Sequence, residues 1–357
     1  MSVWGKHVPA FRHLVRLAGA ALTVLLLAAC AQMPNQVAVG IGTKAYALTD
    51  AGPYAALYRP YAQMAQLAYA NPTFLTPERY HNPQDHLNGP LCPLVEKLAD
   101  AKLSDNPEQA EDNALAAKWE SQLHREGWHC LFGAFGRDVS LAGCPGTQRC
   151  NTGLQLQVWR RHRCGEVVVA FRGTDVRDLG DLVTNLHWFL GRFYYDQYDE
   201  VRDRISGIVD RASSGCRLGH VTAVGHSLGG GLAQLAGFAD RRIDYVYAFD
   251  PSPVTGYFSV PWDKKKLSVK TLGADRIYQA GEILSLPRYL TSGFFPTPSC
   301  RPRTRIVRFA TIPASSLLER HRITLLAESI VDLAKKAKPG PLPKGYAAAR
   351  TCTFVSD

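Results

Sequence analysis

The chain is 357 residues long, 46% of them apolar and 20% charged, with 41 Lys and Arg against 31 Asp and Glu. That length and balance fit one large domain carrying insertions, and the sequence holds neither an internal repeat nor a low-complexity tract. No basic run is interleaved with aromatic residues, so the formal net charge of +10 does not mark a nucleic-acid binder.

The first 29 residues hold Lys6, Arg12 and Arg16 but no acid, then enter the apolar stretch 17–29, which is too short to span a bilayer. This is the pattern of a secretion signal. The stretch ends in Leu27, Ala28, Ala29 and Cys30, which resembles the lipobox of bacterial lipoprotein signals. The resemblance implies that Cys30 becomes a lipidated first residue that attaches the protein to the cell envelope. In Gram-negative cells, Ala31 at the next position implies the outer membrane. An ordinary cleaved signal with an incidental cysteine, or a short uncleaved anchor, is the alternative. Loss of the leader leaves 38 basic and 31 acidic residues, a net of +7. Such a charge is weakly drawn to anionic headgroups and otherwise serves solubility.

Eight cysteines remain beside Cys30, namely Cys92, Cys130, Cys144, Cys150, Cys164, Cys216, Cys300 and Cys352. An even count in an oxidising compartment is compatible with up to four disulfides, with buried free thiols as the alternative. Cys144 and Cys150 bracket Pro145 and Gly146, where a short turn would bring the two sulfurs together.

Residues 30–50 are small, polar and Gly-containing and read as a tether. A folded domain is expected over 51–334, with an insertion at about 71–150, followed by a basic tail over 335–357. Residues 54–69 carry a helical apolar pattern interrupted by Pro60, and a second helix is expected near 108–123. From Leu154 the period becomes two, with Leu154, Leu156 and Val158 on one face, and the apolar run 167–171 follows as a neighbouring strand. Helical spacing over 197–211, a strand at 220–224, a helix at 229–239 and strands at 245–249 and 276–280 complete an alternation. Alternating strands and helices predict an α/β fold, a mostly parallel sheet with helices on both faces and reactive residues at the carboxyl ends of its strands.

Gly225, His226, Ser227, Leu228 and Gly229 form a Gly-x-Ser-x-Gly pentad between the strand at 220–224 and the following helix. A bare pentad is weak, but this context is that of a nucleophile elbow, whose sharp turn leaves room only for glycine two residues either side of the serine. A serine hydroxyl needs a base to take its proton. In the α/β-hydrolase fold the chain order is serine, acid, histidine, and His321 is the single histidine after Ser227. It is therefore the base by elimination. The oxyanion would take one backbone N–H from Leu228 and one from Thr174, which follows Gly173 at the end of the strand starting near Val167.

These residues resemble the class 3 lipase family of the α/β-hydrolase superfamily over about residues 150–325. The likeness is carried by Phe171 to Thr174, by 181–186, by Gly225 to Gly230, and by Phe249 to Gly256 after the next strand. It implies hydrolysis of triacylglycerol or phospholipid esters, with neither metal nor organic cofactor. The chain departs from the family in having Asp250 to Gly256 where a serine, proline and glycine stretch is usual, and Glu282 where aspartate is usual. Glu282 is favoured as the triad acid, since the family places the acid after the second strand beyond the elbow strand; Asp250 is the alternative. Asp275 is set aside because it precedes its strand. Apolar clusters at 187–195 and at Phe294 and Phe295 are compatible with a lid or with core packing. A carboxylesterase or thioesterase on soluble substrates, and a catalytically silent envelope lipoprotein, are the competing functions. Head group and acyl-chain length are not legible.

Overall fold

The computed structural model describes residues 35–41, 46–69, 107–135, 154–174, 196–285, 287–288, 303–313 and 316–338. Their strands are β1 (Gln36–Ile41), β2 (Ala47–Asp50), β3 (His129–Phe135), β4 (Gln155–Arg161), β5 (Glu166–Phe171), β6 (His220–His226), β7 (Ile243–Phe249), β8 (Gly273–Gln279) and β9 (Arg303–Phe309). They join in one nine-stranded sheet in the order β2-β1-β9-β8-β7-β6-β5-β4-β3. The five central strands, β5 to β9, are parallel. The pairs at either edge are antiparallel. This is a mixed α/β fold.

The helices are α1 (Gly52–Leu67), α2 (Pro107–Arg125), α3 (Gln197–Ala212), α4 (Leu228–Ala239), α5 (Trp262–Ser268), α6 (Leu317–Arg320) and α7 (Ile323–Lys336). Helices α1 and α7 pack on each other and cover one face of the sheet. Helices α3 and α4 cover the other. The run in β5 shows why a central strand reads as uniformly apolar. Val167, Val169 and Phe171 enter the α3/α4 core, whereas Val168 and Ala170 enter the α1/α7 core. In β4, Leu156 and Val158 face α3 and Trp159 faces the opposite core, as the period-two pattern requires. No helix among the described residues is long and apolar enough to cross a membrane.

Four boundaries differ from the sequence reading. Residues 36–41 and 47–50, expected within a tether, are strands β1 and β2, because β1 completes the edge hydrogen bonding of β9 and buries Val37 and Val39. Strand β3, inside the expected insertion, is the opposite edge of the same sheet. Helix α1 runs through Pro60, since Tyr58, Ala62, Met64 and Ala65 on either side are fully buried and their packing outweighs one lost backbone bond. Asp275 lies within β8 rather than before it. It is buried and paired with Arg305 of β9.

Two cap motifs place the helices nearest the sheet's carboxyl edge. The Asp196 side chain accepts from the Asp199 N–H at 3.0 Å at the start of α3. Ser316 Oγ accepts from the Glu319 N–H at 3.0 Å, and a Glu319 carboxylate oxygen accepts from the Ser316 N–H at 3.2 Å. That second box fixes the one-turn helix α6, on whose carboxyl cap stands His321. A disulfide joins Cys164, in the β4–β5 turn, to Cys216 after α3. Cys130 is also disulfide-bonded. Cys144 and Cys150 lie outside the described residues.

Candidate active site

Strand β6 ends at His226 and α4 begins at Leu228, leaving Ser227 alone in the turn at φ 56° and ψ −124°. A non-glycine residue at such φ carries strain of roughly 1–3 kcal/mol, so its neighbours must hold it. The Ser227 N–H donates to the Phe249 carbonyl at 3.0 Å, and the Ser227 carbonyl accepts from the N–H groups of Gly230 at 3.0 Å and Ser252 at 2.8 Å. Glycine is required on both sides. A Cβ on Gly225 would stand 2.1 Å from the Gly229 carbonyl oxygen, and one on Gly229 would stand 2.3 Å from that of Phe171.

Gly173 serves the same junction from β5. Its Cβ would fall 2.4 Å from the His226 carbonyl oxygen and 3.2 Å from the Gly229 nitrogen. The segment ending in Thr174 is thereby laid directly against the turn, next to the amino end of α4 where Leu228 is the first helical residue. The positive end of that helix dipole lies at Ser227.

Three further side chains reach this end of the sheet from separate elements. Glu282 follows β8 after Gly281, whose φ of 72° turns the chain. His321 comes from the cap of α6, and the Leu317 carbonyl accepts from the Ile283 N–H at 3.1 Å, tying the two loops together. His321 Nδ1 lies 2.7 Å from Glu282 Oε2, and both side chains are fully buried. Glu282 also accepts from the Leu284 N–H at 2.8 Å, from Ser285 Oγ at 3.1 Å and from the Arg288 guanidinium. Four donors on two oxygens suit a charged carboxylate. They leave His321 Nδ1 as the protonated nitrogen and Nε2 as the free one. Burial, reinforced by the nearby Arg288 charge, pushes the His321 imidazole down to about 3. Its resting form is the neutral base.

Asp250 closes β7 at φ 38° and is fully buried. Its Oδ1 accepts from the Gln279 N–H at 2.8 Å, whereas its Oδ2 has no partner. Burial raises its carboxyl to about 7 even though Arg288 and the Gln279 bond oppose the rise. His226, fully buried, has its ring 4.7 Å from that of His321 and its Nδ1 2.9 Å from the Tyr69 hydroxyl. Burial, and next the proximity of His321, lower its pKa well below the usual imidazole range.

Of the residues singled out in the sequence, Ser227, Leu228, Thr174, His321, Glu282 and Asp250 are all described and lie at the carboxyl end of β5 to β8, although Ser227 Oγ and His321 Nε2 make no hydrogen bond to each other. Only Glu282 touches His321 Nδ1. Cys30, residues 187–195, Phe294 and Phe295 lie outside the described residues. Sequence reasoning missed Arg288 and Tyr69. Arg288 stands six positions after Glu282, a weak signal of pairing, and nothing local marks Tyr69 as a partner of His226.

Comparison with protein families matches residues 138–248 to Phospholipase-like, described as a Tle-like phospholipase domain. The matched stretch contains β4 to β6, the Ser227 turn and α4, and stops just before Asp250 and well short of Glu282 and His321. It supports a lipase- or phospholipase-like family and, with it, hydrolysis of lipid esters. Comparison with curated proteins returns no significant match.

Proposed function

We propose that the chain is a serine hydrolase of the α/β-hydrolase type, akin to class 3 lipases, that cleaves lipid carboxylic esters through an acyl-enzyme. The observation that carries the proposal is the buried Glu282–His321 pair at the same end of the sheet as a serine held at φ 56° between a parallel strand and a helix. His321 Nε2 and Ser227 Oγ are both buried without a hydrogen-bond partner, and substrate binding would bring them together. In this reading His321 Nε2 takes the Ser227 proton as Oγ bonds to the ester carbonyl carbon. Glu282 holds the ring's Nδ1–H and stabilises the imidazolium. The N–H groups of Leu228 and Thr174 receive the oxyanion. The imidazolium then protonates the departing alkoxide, and water attacks the acyl-enzyme by the same route in reverse. Arg288 is a positioning residue that fixes Glu282; burial lowers its guanidinium to about 10, so it stays charged at neutral pH.

Lipidation of Cys30 would place the enzyme on an envelope membrane, and its Ala31 context favours the outer one. The test is labelling with a fluorophosphonate together with hydrolysis of phospholipid vesicles and p-nitrophenyl esters. Wild type should label on Ser227 and hydrolyse lipid. Ser227→Ala should label nowhere and lose roughly 10⁴–10⁶-fold in kcat while remaining folded. A folded Ser227→Ala protein with near-native turnover would refute the mechanism.

A further inference from the structure

Three buried side chains around the elbow share a feature that the ester chemistry does not use in full. His226, Asp250 and His321 are each 0% exposed, and one potential ligand atom from each lies within 4.8 Å of the other two. Each is held from behind. His321 Nδ1 bonds Glu282 Oε2 at 2.7 Å, Asp250 Oδ1 accepts from the Gln279 N–H at 2.8 Å, and His226 Nδ1 meets the Tyr69 hydroxyl at 2.9 Å. The polar atoms that remain, His226 Nε2, Asp250 Oδ2 and His321 Nε2, are all buried without a hydrogen-bond partner.

The His321 tautomer follows from these contacts. Glu282 can only accept, so His321 carries its proton on Nδ1. The Tyr69 hydroxyl lies 2.9 Å from His226 Nδ1 and 3.4 Å from the His226 carbonyl, contacts that either His226 tautomer can make. His321 Nε2 therefore presents a lone pair, and His226 Nε2 offers one to a metal ion once any proton there is released. Two imidazole nitrogens and a carboxylate oxygen confined together form a donor set that a cation satisfies once any proton held among them is released.

We propose that His226, Asp250 and His321 form a site for a zinc-class divalent ion, and that its occupation shuts the hydrolase off. Two imidazoles and one carboxylate are a zinc donor set, with each ligand oriented by a partner behind it. Bonds of about 2.1 Å would set tetrahedral donors roughly 3.4 Å apart, so ligands within 4.8 Å of one another close on the ion with side-chain shifts of about 1 Å. Hard ions such as Mg²⁺ and Ca²⁺ prefer all-oxygen cages and do not suit two nitrogen donors. The ion would take the His321 nitrogen that must otherwise accept the serine proton, so metal binding and turnover exclude each other. Binding stands on the geometry alone; the inhibition rests on the serine-hydrolase reading.

The experiment titrates chelator-stripped protein with ZnCl₂, reading bound metal by competition with a chromophoric chelator, melting temperature by calorimetry, and ester hydrolysis in parallel. Ser227→Ala keeps all three ligands and separates the two readings, because its zinc binding does not depend on activity. Wild type and Ser227→Ala should each bind one equivalent at micromolar Kd with a rise in Tm. Wild-type activity should fall in step with occupancy and return on adding EDTA, whereas Mg²⁺ and Ca²⁺ should change neither. His226→Gln and Asp250→Asn, checked as folded by circular dichroism, should each bind at least about 10-fold more weakly. The site is refuted if Ser227→Ala fails to bind zinc, or if both folded ligand variants bind as wild type does. The brake is refuted if zinc binds at these residues and hydrolysis is unchanged or faster.

Discussion

Two carboxylates, Asp250 and Glu282, approach His321, and their hydrogen bonds suit them to different work. Glu282 has donors on both oxygens and touches His321, whereas Asp250 has one oxygen unpartnered and a carboxyl raised to about 7 by burial. A group that is half protonated near neutrality is a poor stabiliser of an imidazolium. Glu282→Gln should therefore lower kcat about 10³–10⁴-fold, since an amide favours the wrong tautomer, and Asp250→Asn should lower it by less than about 10-fold. Glu282→Gln also leaves Arg288 facing a neutral group, at a cost of about 1–3 kcal/mol, so the rates must be compared on folded protein. The reverse ranking would make Asp250 the acid. A second expectation concerns pH. His321 is depressed to about 3, chiefly by burial, and a lowered imidazole pKa keeps the base neutral to lower pH. The acid limb of kcat/KM should then lie well below the ordinary histidine value near 6.5, with activity sustained as pH falls through 6. A limb centred at 6.5 in a profile recorded on folded protein would contradict it.

At the level of elements, the buried ion pair between β8 and β9 does for the sheet what the caps do for the helices. Asp275 accepts from Arg305 Nε at 3.0 Å, from Tyr58 of α1 at 2.8 Å and from Tyr245 of β7 at 2.8 Å. One carboxylate thus ties three neighbouring strands to a helix. Asp275→Ala strands a buried guanidinium and should cost about 3–5 kcal/mol in urea unfolding without lowering kcat of the folded fraction. A loss under about 1 kcal/mol would show that Arg305 finds other compensation. The same residue shows where sequence reading stops. The apolar runs of β5, β6 and β7 announce strands because both faces of each are covered. The polar Asp275 hides the start of β8, since its partners Arg305, Tyr58 and Tyr245 lie on other elements and no local pattern reveals them. The Ser227 turn was legible because glycines at fixed offsets record a steric demand that is wholly local. The Glu282–His321 pairing was legible only through chain order for His321 and the family resemblance for Glu282, and Arg288 and Tyr69 became visible only in three dimensions. Strand β2 was illegible for the opposite reason: its residues are almost all exposed, so nothing in their polarity distinguishes a strand from a linker.

For the molecule as a whole, strand β1 changes what attachment at Cys30 would mean. Five residues separate Cys30 from Gln36, where the folded sheet begins. Even fully extended, they span about 20 Å, less than the radius of roughly 25 Å expected for a domain of this size. An enzyme on so short a leash would turn about its anchor but could not roam, and the lipids within its grasp would be those of the leaflet that carries it. Lipidated protein in mixed vesicles should therefore digest its own vesicles and spare labelled neighbours, while Cys30→Ser protein, freed from the surface, should attack both populations at equal rates. Equal digestion by the anchored form would mean that the anchor does not confine it.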